Sequence, residues 1–223
     1  VLKLRKRIKG ESEIALDFEK IIPTPITIKD TVSGSLESVY TALFGTEEDV
    51  QEVLNKYDGD KKRKINLAVP EALTIAYPEN RLKAFLAVIG SHASIDDGSD
   101  TLTEEKVMSY ERMANNYNFN MKTYGVLNWY DWRVKNWGTK WNADCSGSSY
   151  QEKDGKSIYG LSFSTAWSPP EPVIRELAKQ YPELLIQLRY YEGGIGFQGR
   201  LRLKGFTSMT TAESSRSPLS VTA

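Results

Sequence analysis

Cysteine and histidine are almost missing from this chain: 223 residues hold one of each, Cys145 and His92. The lone cysteine excludes an internal disulfide and a thiolate-cluster zinc site. The lone histidine excludes every mechanism that needs two imidazoles. An excess of either charge is missing too. The 29 Lys and Arg balance 29 Asp and Glu, which argues at whole-chain level against a strongly basic nucleic-acid binder and against an acidic mimic of DNA. No apolar run approaches a membrane span and no segment reads as a signal peptide, so the expected setting is the cytoplasm, with no membrane partner. The chain opens on Val1 and not Met, the expectation being a trimmed N-terminus. What is present is an ordinary globular composition, 40% hydrophobic and 26% charged, enough for one sizeable core or two small ones.

The periodicity changes along the chain. Leu2, Leu4 and Ile8 alternate with Lys3, Arg5, Arg7 and Lys9, which reads as a half-buried strand, with Lys6 breaking the apolar row and Gly10 ending it. Pro23 and Pro25 then mark an extended exit. Residues 26–120 switch to helical spacing. Leu36, Val39, Tyr40 and Leu43 share one face; Thr46 opens a helix over Val50, Val53, Leu54 and Tyr57; Asn80 caps Leu82, Phe85, Leu86 and Ile89; Thr103-Glu104-Glu105 starts a helix carrying Val107, Tyr110, Met113 or Ala114, and Tyr117. Between them lie the solvated turn 60–64 and the polar loop 94–100. With no Gly-, Ser- or Pro-rich linker at either end, this stretch reads as a helical insertion at about 27–120 within one domain spanning 1–204.

Mixed structure returns after residue 120. The spacing predicts an aromatic helix over 124–137 ended by Gly138, a polar, turn-rich stretch over 143–157, and a strand over 158–165 with Tyr159, Leu161 and Phe163 on one face. A helix capped by Ser168 follows, with Pro169, Pro170 and Pro172 in its first turn, where the missing N–H groups have no helical partner anyway. Leu184–Tyr191 and Phe197–Lys204 read as two strands joined at Gly193-Gly194, and the Ser/Thr-rich tail 205–223 as disordered. The order β-α-β-α-β-β is that of an α+β, ferredoxin-like two-layer sandwich, an antiparallel sheet with helices on one face.

Two strings are distinctive. One is Trp129-Tyr130-Asp131-Trp132 followed by Asn136-Trp137-Gly138-Thr139-Lys140-Trp141-Asn142. The other is Phe163-Ser164-Thr165-Ala166-Trp167-Ser168-Pro169-Pro170, followed by a glycine hairpin ending in Gly196-Phe197. With Phe18-Glu19-Lys20-Ile21-Ile22-Pro23-Thr24-Pro25, this resembles the YubB-type ferredoxin-like domain family of phages and conjugative plasmids, over roughly residues 1–26 and 121–204. The resemblance implies a fold and a mobile-element accessory protein, not a reaction, and it supplies no catalytic residues. Together with the lack of a catalytic constellation, it implies a non-enzymatic protein without cofactor that binds a host protein, a component of host defence. The helical insert, which a sandwich does not need to close its core, is the expected partner surface.

The second function class is a nucleic-acid binder. Four of the five tryptophans fall between 129 and 141. They either fill the space between helix and sheet or offer a stacking platform, the latter chiefly at Trp137 and Trp141 around the Gly138 break. Asn136, Thr139, Lys140 and Asn142 accompany them, either satisfying backbone groups or, for Lys140, meeting a phosphate or an acidic partner. Lys3, Arg5, Arg7 and Lys9 with Arg189, Arg200, Arg202 and Lys204 would make one sheet face cationic, either as a solvated edge-protecting face or as a polyanion site. The candidate binding residues are thus Trp137, Lys140, Trp141, Asn142, Arg189, Arg200 and Arg202. Other signals are weak. Gly194-Ile195-Gly196-Phe197-Gln198-Gly199 fits a dinucleotide fingerprint only in letters, because a strand and not a helix follows. Asp96, Asp97, Asp100 and Glu104 lack the spacing of a calcium loop. A nuclease built on Asp96 or Asp97 is the weakest class. His92 reads as a helix cap, and Cys145 as an exposed thiol in a polar loop.

Overall fold

The computed structural model describes residues 1–9, 15–34, 37–46, 48–50, 52–53, 82, 103–204 and 207–208. Its elements are α1 (Leu2–Ile8), a 3-10 turn (Phe18–Lys20), α2 (Ile26–Lys29), α3 (Ser38–Phe44), α4 (Glu104–Tyr124), α5 (Trp129–Trp137), β1 (Asp144–Lys153), β2 (Lys156–Ser164), α6 (Glu171–Gln180), β3 (Leu185–Glu192), β4 (Phe197–Lys204) and β5 (Thr207–Ser208). The chain divides into two compact units, residues 1–24 with 130–223, and residues 25–129.

The unit 25–129 is helical throughout its described elements. Thr46 and Asp49 cap one another: the Thr46 N–H donates to the Asp49 carboxylate (2.8 Å) and the Asp49 N–H to the Thr46 hydroxyl (3.2 Å). The Thr46 N–H and hydroxyl both donate to that carboxylate and hold the Asp49 carboxyl below its ordinary range. α4 starts at Thr103, whose hydroxyl accepts the Lys106 N–H, and ends at Gly125 in the left-handed region (φ 69°). Val107, Ala114 and Tyr117 of α4 pack with Val39, Ala42, Val50 and Leu82 into one core. Two asparagines tie α2 down: Asn116 and Asn120 both donate to the Thr27 carbonyl (2.9 and 3.0 Å). The Tyr117 hydroxyl donates to the Val32 carbonyl (2.7 Å), and burial pushes its pKa up to about 12. The helices expected over 35–36, 54–57 and 80–89, apart from Leu82, lie outside the described residues, as do His92, Asp96, Asp97 and Asp100.

In the other unit the first element departs from expectation. Residues 2–8 form a helix and not a strand. The apolar residues fit both periods, but Lys6 stands where a strand needs a third inward residue, whereas Leu4 and Ile8 are one helical turn apart and are the two that are buried. Leu, Lys and Arg are also strong helix formers. Lys3, Arg5, Arg7 and Lys9 therefore do not join a sheet face; Arg5 lies over the Tyr159 ring (5.6 Å to the centroid).

The strands form two sheets and not one open sheet: β1 with β2, and the order β3-β4-β5, all antiparallel. β1 falls where a turn-rich stretch was expected. It is exposed along nearly its whole length, so it lacks the alternation that marks a half-buried strand. Its turn into β2 is Asp154-Gly155, both with positive φ (53° and 70°), the primed geometry of a two-residue hairpin. β3 and β4 fall where two strands were expected, with Leu188, Leu201 and Leu203 buried against Ile174 and Ala178 of α6. Gly199 leaves room for the Tyr190 ring across the strand pair; a Cβ there would collide with it. The fingerprint-like glycines form the turn into β4, as their hairpin reading required, and the Glu192 carboxylate accepts the Gly194 and Ile195 N–H groups (2.9 and 2.6 Å). Thr207–Ser208, in the tail expected to be disordered, pair with β4.

The N-terminal segment is stapled into this unit by side chains. Asn142 accepts the Phe18 N–H (2.8 Å) and donates to Asp17 (2.7 Å). Trp137 donates its indole N–H to the Ile22 carbonyl (2.9 Å), and Gln180 its amide to that of Ile21 (3.2 Å). Glu19 accepts both the N–H and the hydroxyl of Thr24 (2.8 Å each) and pairs with Arg133 at 3.4 Å. Phe18 is fully buried, edge-on to Trp137 and Phe163 (5.6 and 6.3 Å between centroids).

Candidate binding surface

The five tryptophans separate into two groups. Trp132 and Trp137 are buried edge-to-face (6.3 Å) and Trp129 is half-buried. Trp137 has no accessible surface and its N–H is satisfied, so its ring has no face left for a ligand. Trp141 and Trp167 are the opposite case, 56% and 66% exposed. Between them lies Lys140, its Nζ 4.1 Å from the Trp141 centroid and 3.7 Å from that of Trp167. Both distances are within the range of a cation held on an aromatic face.

The local backbone explains how Trp167 reaches this position. α5 ends at Gly138 with φ 80°, and a Cβ there would stand 2.8 Å from Pro172 Cδ and 2.9 Å from the Pro169 carbonyl. Glycine thus lets the end of α5 approach the start of α6. The buried Thr139 hydroxyl donates to the Ala166 carbonyl (2.9 Å) and accepts the Ala166 N–H (3.1 Å). Ser168 was expected to cap α6 but does not, since Pro170 holds that position; its hydroxyl donates instead to the Gly138 carbonyl. The Ser168 N–H donates to the Ala166 carbonyl (2.8 Å), closing a three-residue turn around Trp167 at φ 63°. A γ-turn of this hand is rare and strained, and a bulky residue in it is an outlier costing on the order of 1–3 kcal/mol. The proline pair and Gly138 were visible in the sequence. The positive φ of Trp167 was not, because tryptophan has no propensity for it.

The second patch is the outward face of β3 and β4. Leu185, Gln187, Arg189 and Tyr191 stand opposite Lys204, Arg202, Arg200 and Gln198. Three arginines and a lysine thus share a face with no carboxylate among its eight residues. Arg189 and Arg200 are direct cross-strand partners, a like-charge pairing that destabilises a sheet. Arg200 donates to Gln187 (3.0 Å), and none of the four cations forms an ion pair among the described residues. Tyr191 adds a ring 70% exposed.

Of the residues singled out in the sequence, Lys140 and Trp141 come together in the first patch, and Arg189, Arg200 and Arg202 in the second. Asn142 is committed to the N-terminal staple. Cys145 is in β1 and not in a loop. It is half-buried, and that burial pushes its thiol up, against weaker pulls from the Leu16 and Ala15 backbone, which opposes a nucleophilic role. Burial and the nearby Glu171 carboxylate also raise the Tyr190 phenol, on the inward face. Among the described residues no group of three or more His, Cys, Asp or Glu could hold a metal, and no helix is long and apolar enough to cross a membrane.

Residues 137–216 match the model of a family described as a ferredoxin-like domain in Api92-like protein. The matched stretch holds both patches, and it is similar to a family described by its fold and not by a reaction. No curated protein and no solved structure matches the chain.

Proposed function

We propose that this protein acts by binding, and that the outward face of β3–β4 takes single-stranded nucleic acid. The observation that carries the reading is the cation quartet of Arg189, Arg200, Arg202 and Lys204, unbalanced by any carboxylate on its face although the whole chain is neutral. Segregated charge attracts a polyanion whatever the net charge. Arg200, Arg202 and Lys204 sit at alternate positions of one strand, about 7 Å apart, so they can follow a backbone of phosphates. Tyr191 offers a stacking surface on the same face.

The test is binding of a dye-labelled oligothymidylate at a series of salt concentrations. Engagement of four phosphates gives a slope of log K against log salt of about −3, and Arg200→Ala reduces its magnitude by roughly 0.7. Absence of binding at low salt, or binding indifferent to salt, overturns the reading.

A second reading is favoured by the β1–β2 ribbon, two long strands with no third strand beside them among the described residues. Such edges accept a strand from another protein. On this reading the chain is an accessory protein of a phage or plasmid, and its partner a host defence component. Salt-insensitive capture of a host protein, lost when Gln151 and Ile158 are changed to proline, is its expected signature.

A further inference from the structure

We infer that Trp141 and Trp167 form a stacking clamp for one nucleobase of a single-stranded nucleic acid, with Lys140 as the ligand of the adjoining phosphate. The inference rests on the nucleic-acid reading, but on different residues. Both rings stand in solvent, so neither is explained by the core. One of them is held out by a strained turn that four hydrogen bonds enforce: the two between Thr139 and Ala166, that of Ser168 to the Gly138 carbonyl, and that closing the turn itself. Strain kept up to expose an apolar ring gives the fold nothing, and it is at binding sites that such strain is retained.

The occupant follows from what fills the site now. Lys140 Nζ lies against both rings, so a group can be accommodated between the two indole faces. A second cation is disfavoured, because Lys140 already supplies the charge that those faces attract. A flat neutral ring joined to an anion fits both parts. The base replaces the lysine stem between the indoles, and the ammonium, a compact point charge on a flexible stem, turns to the phosphate.

The experiment compares oligothymidylate with an abasic oligomer of equal length, which keeps the phosphates and lacks the bases. The wild-type chain is expected to bind the base-bearing strand roughly tenfold tighter or more. The double variant Trp141→Ala, Trp167→Ala should lose most of that preference, keeping only what stacking on Tyr191 supplies, with the salt slope unchanged. Trp167→Gly, which relaxes the left-handed turn, should lose most of the base preference while melting no lower than wild type. If the double variant retains the wild-type base preference, the clamp is wrong and the cationic face stands. If the wild-type chain binds neither strand, both fall.

Discussion

Replacing Thr139 by valine tests the lock between the end of α5 and the start of α6. The hydroxyl is buried and serves one residue twice, as donor to the Ala166 carbonyl and acceptor of the Ala166 N–H. Valine keeps the shape and removes both bonds. The Ala166 carbonyl still holds the Ser168 N–H, so it is not orphaned. The Ala166 N–H has no other acceptor within the described contacts and is buried with its residue. A buried donor left unpaired destabilises by about 1–3 kcal/mol. At about 2–4 °C per kcal/mol for chains of this length, the melting midpoint should fall by roughly 2–12 °C. Thr139→Ser keeps both bonds and removes one methyl, a loss of about 0.8 kcal/mol. Circular dichroism melts rank the three proteins, and amide exchange read at Ala166 locates the effect. Faster exchange there in the valine variant and not in the serine variant is the expected result. Equal melting of valine variant and wild type, or an Ala166 amide as protected as before, refutes the role given to the hydroxyl.

Gly138→Ala should destabilise by more than Gly155→Ala in the same melts. Both sites have positive φ, but only at Gly138 would the Cβ meet other atoms, Pro172 Cδ and the Pro169 carbonyl, whereas the Gly155 turn is open. Asn142→Ala frees the Phe18 N–H and leaves Asp17 only its bond from the Glu19 N–H, and limited proteolysis should then release the N-terminal segment earlier than in wild type. Tyr117 ionises with a pKa of about 12 when folded, above the ordinary value of 10. Its contribution is therefore complete below pH 10 and lost as pH rises towards 12, at about 1.4 kcal/mol per pH unit. Denaturant melts of Tyr117→Phe, weaker at neutral pH for want of the Val32 bond, should lack that slope.

Residues 158–204 were the most legible part of the fold. β3, β4 and α6 each carry one buried face, so alternation and helical spacing located them within a residue or two. The errors have definite causes. Residues 2–8 are too short for period two and period 3.6 to separate, and it is Lys6 in the inward row and the exposure of Leu2, with only Leu4 and Ile8 buried, that fit the helix. β1 has no buried face, and a strand without one leaves no trace in hydrophobic pattern. α5 begins at Trp129 and not near residue 124 because Gly125 ends α4 first, a stop that an aromatic-rich stretch concealed. At the candidate surface, composition showed a cluster of tryptophans but not which would be buried. That depends on long-range partners such as the Ile22 carbonyl for Trp137, and on a backbone angle at Trp167 that no residue propensity encodes.

Three features of the unit formed by 1–24 and 130–223 contradict local rules: a tryptophan at positive φ, two arginines paired across strands, and a long strand, β1, without a buried face. Where the N-terminal segment and the end of α5 are held, the same unit follows those rules. Its helix end has its glycine, its buried indole has an acceptor, and its asparagine satisfies the segment it holds. Local conflict in an otherwise consistent chain is expected where a surface is kept for something other than folding. The conflicts all lie on exposed residues, so relieving them should not unfold the protein. Changing Arg189 to glutamate, for example, turns the repulsion with Arg200 into attraction and should raise stability slightly while weakening polyanion binding. A purely structural role for that face predicts no such opposition between stability and affinity.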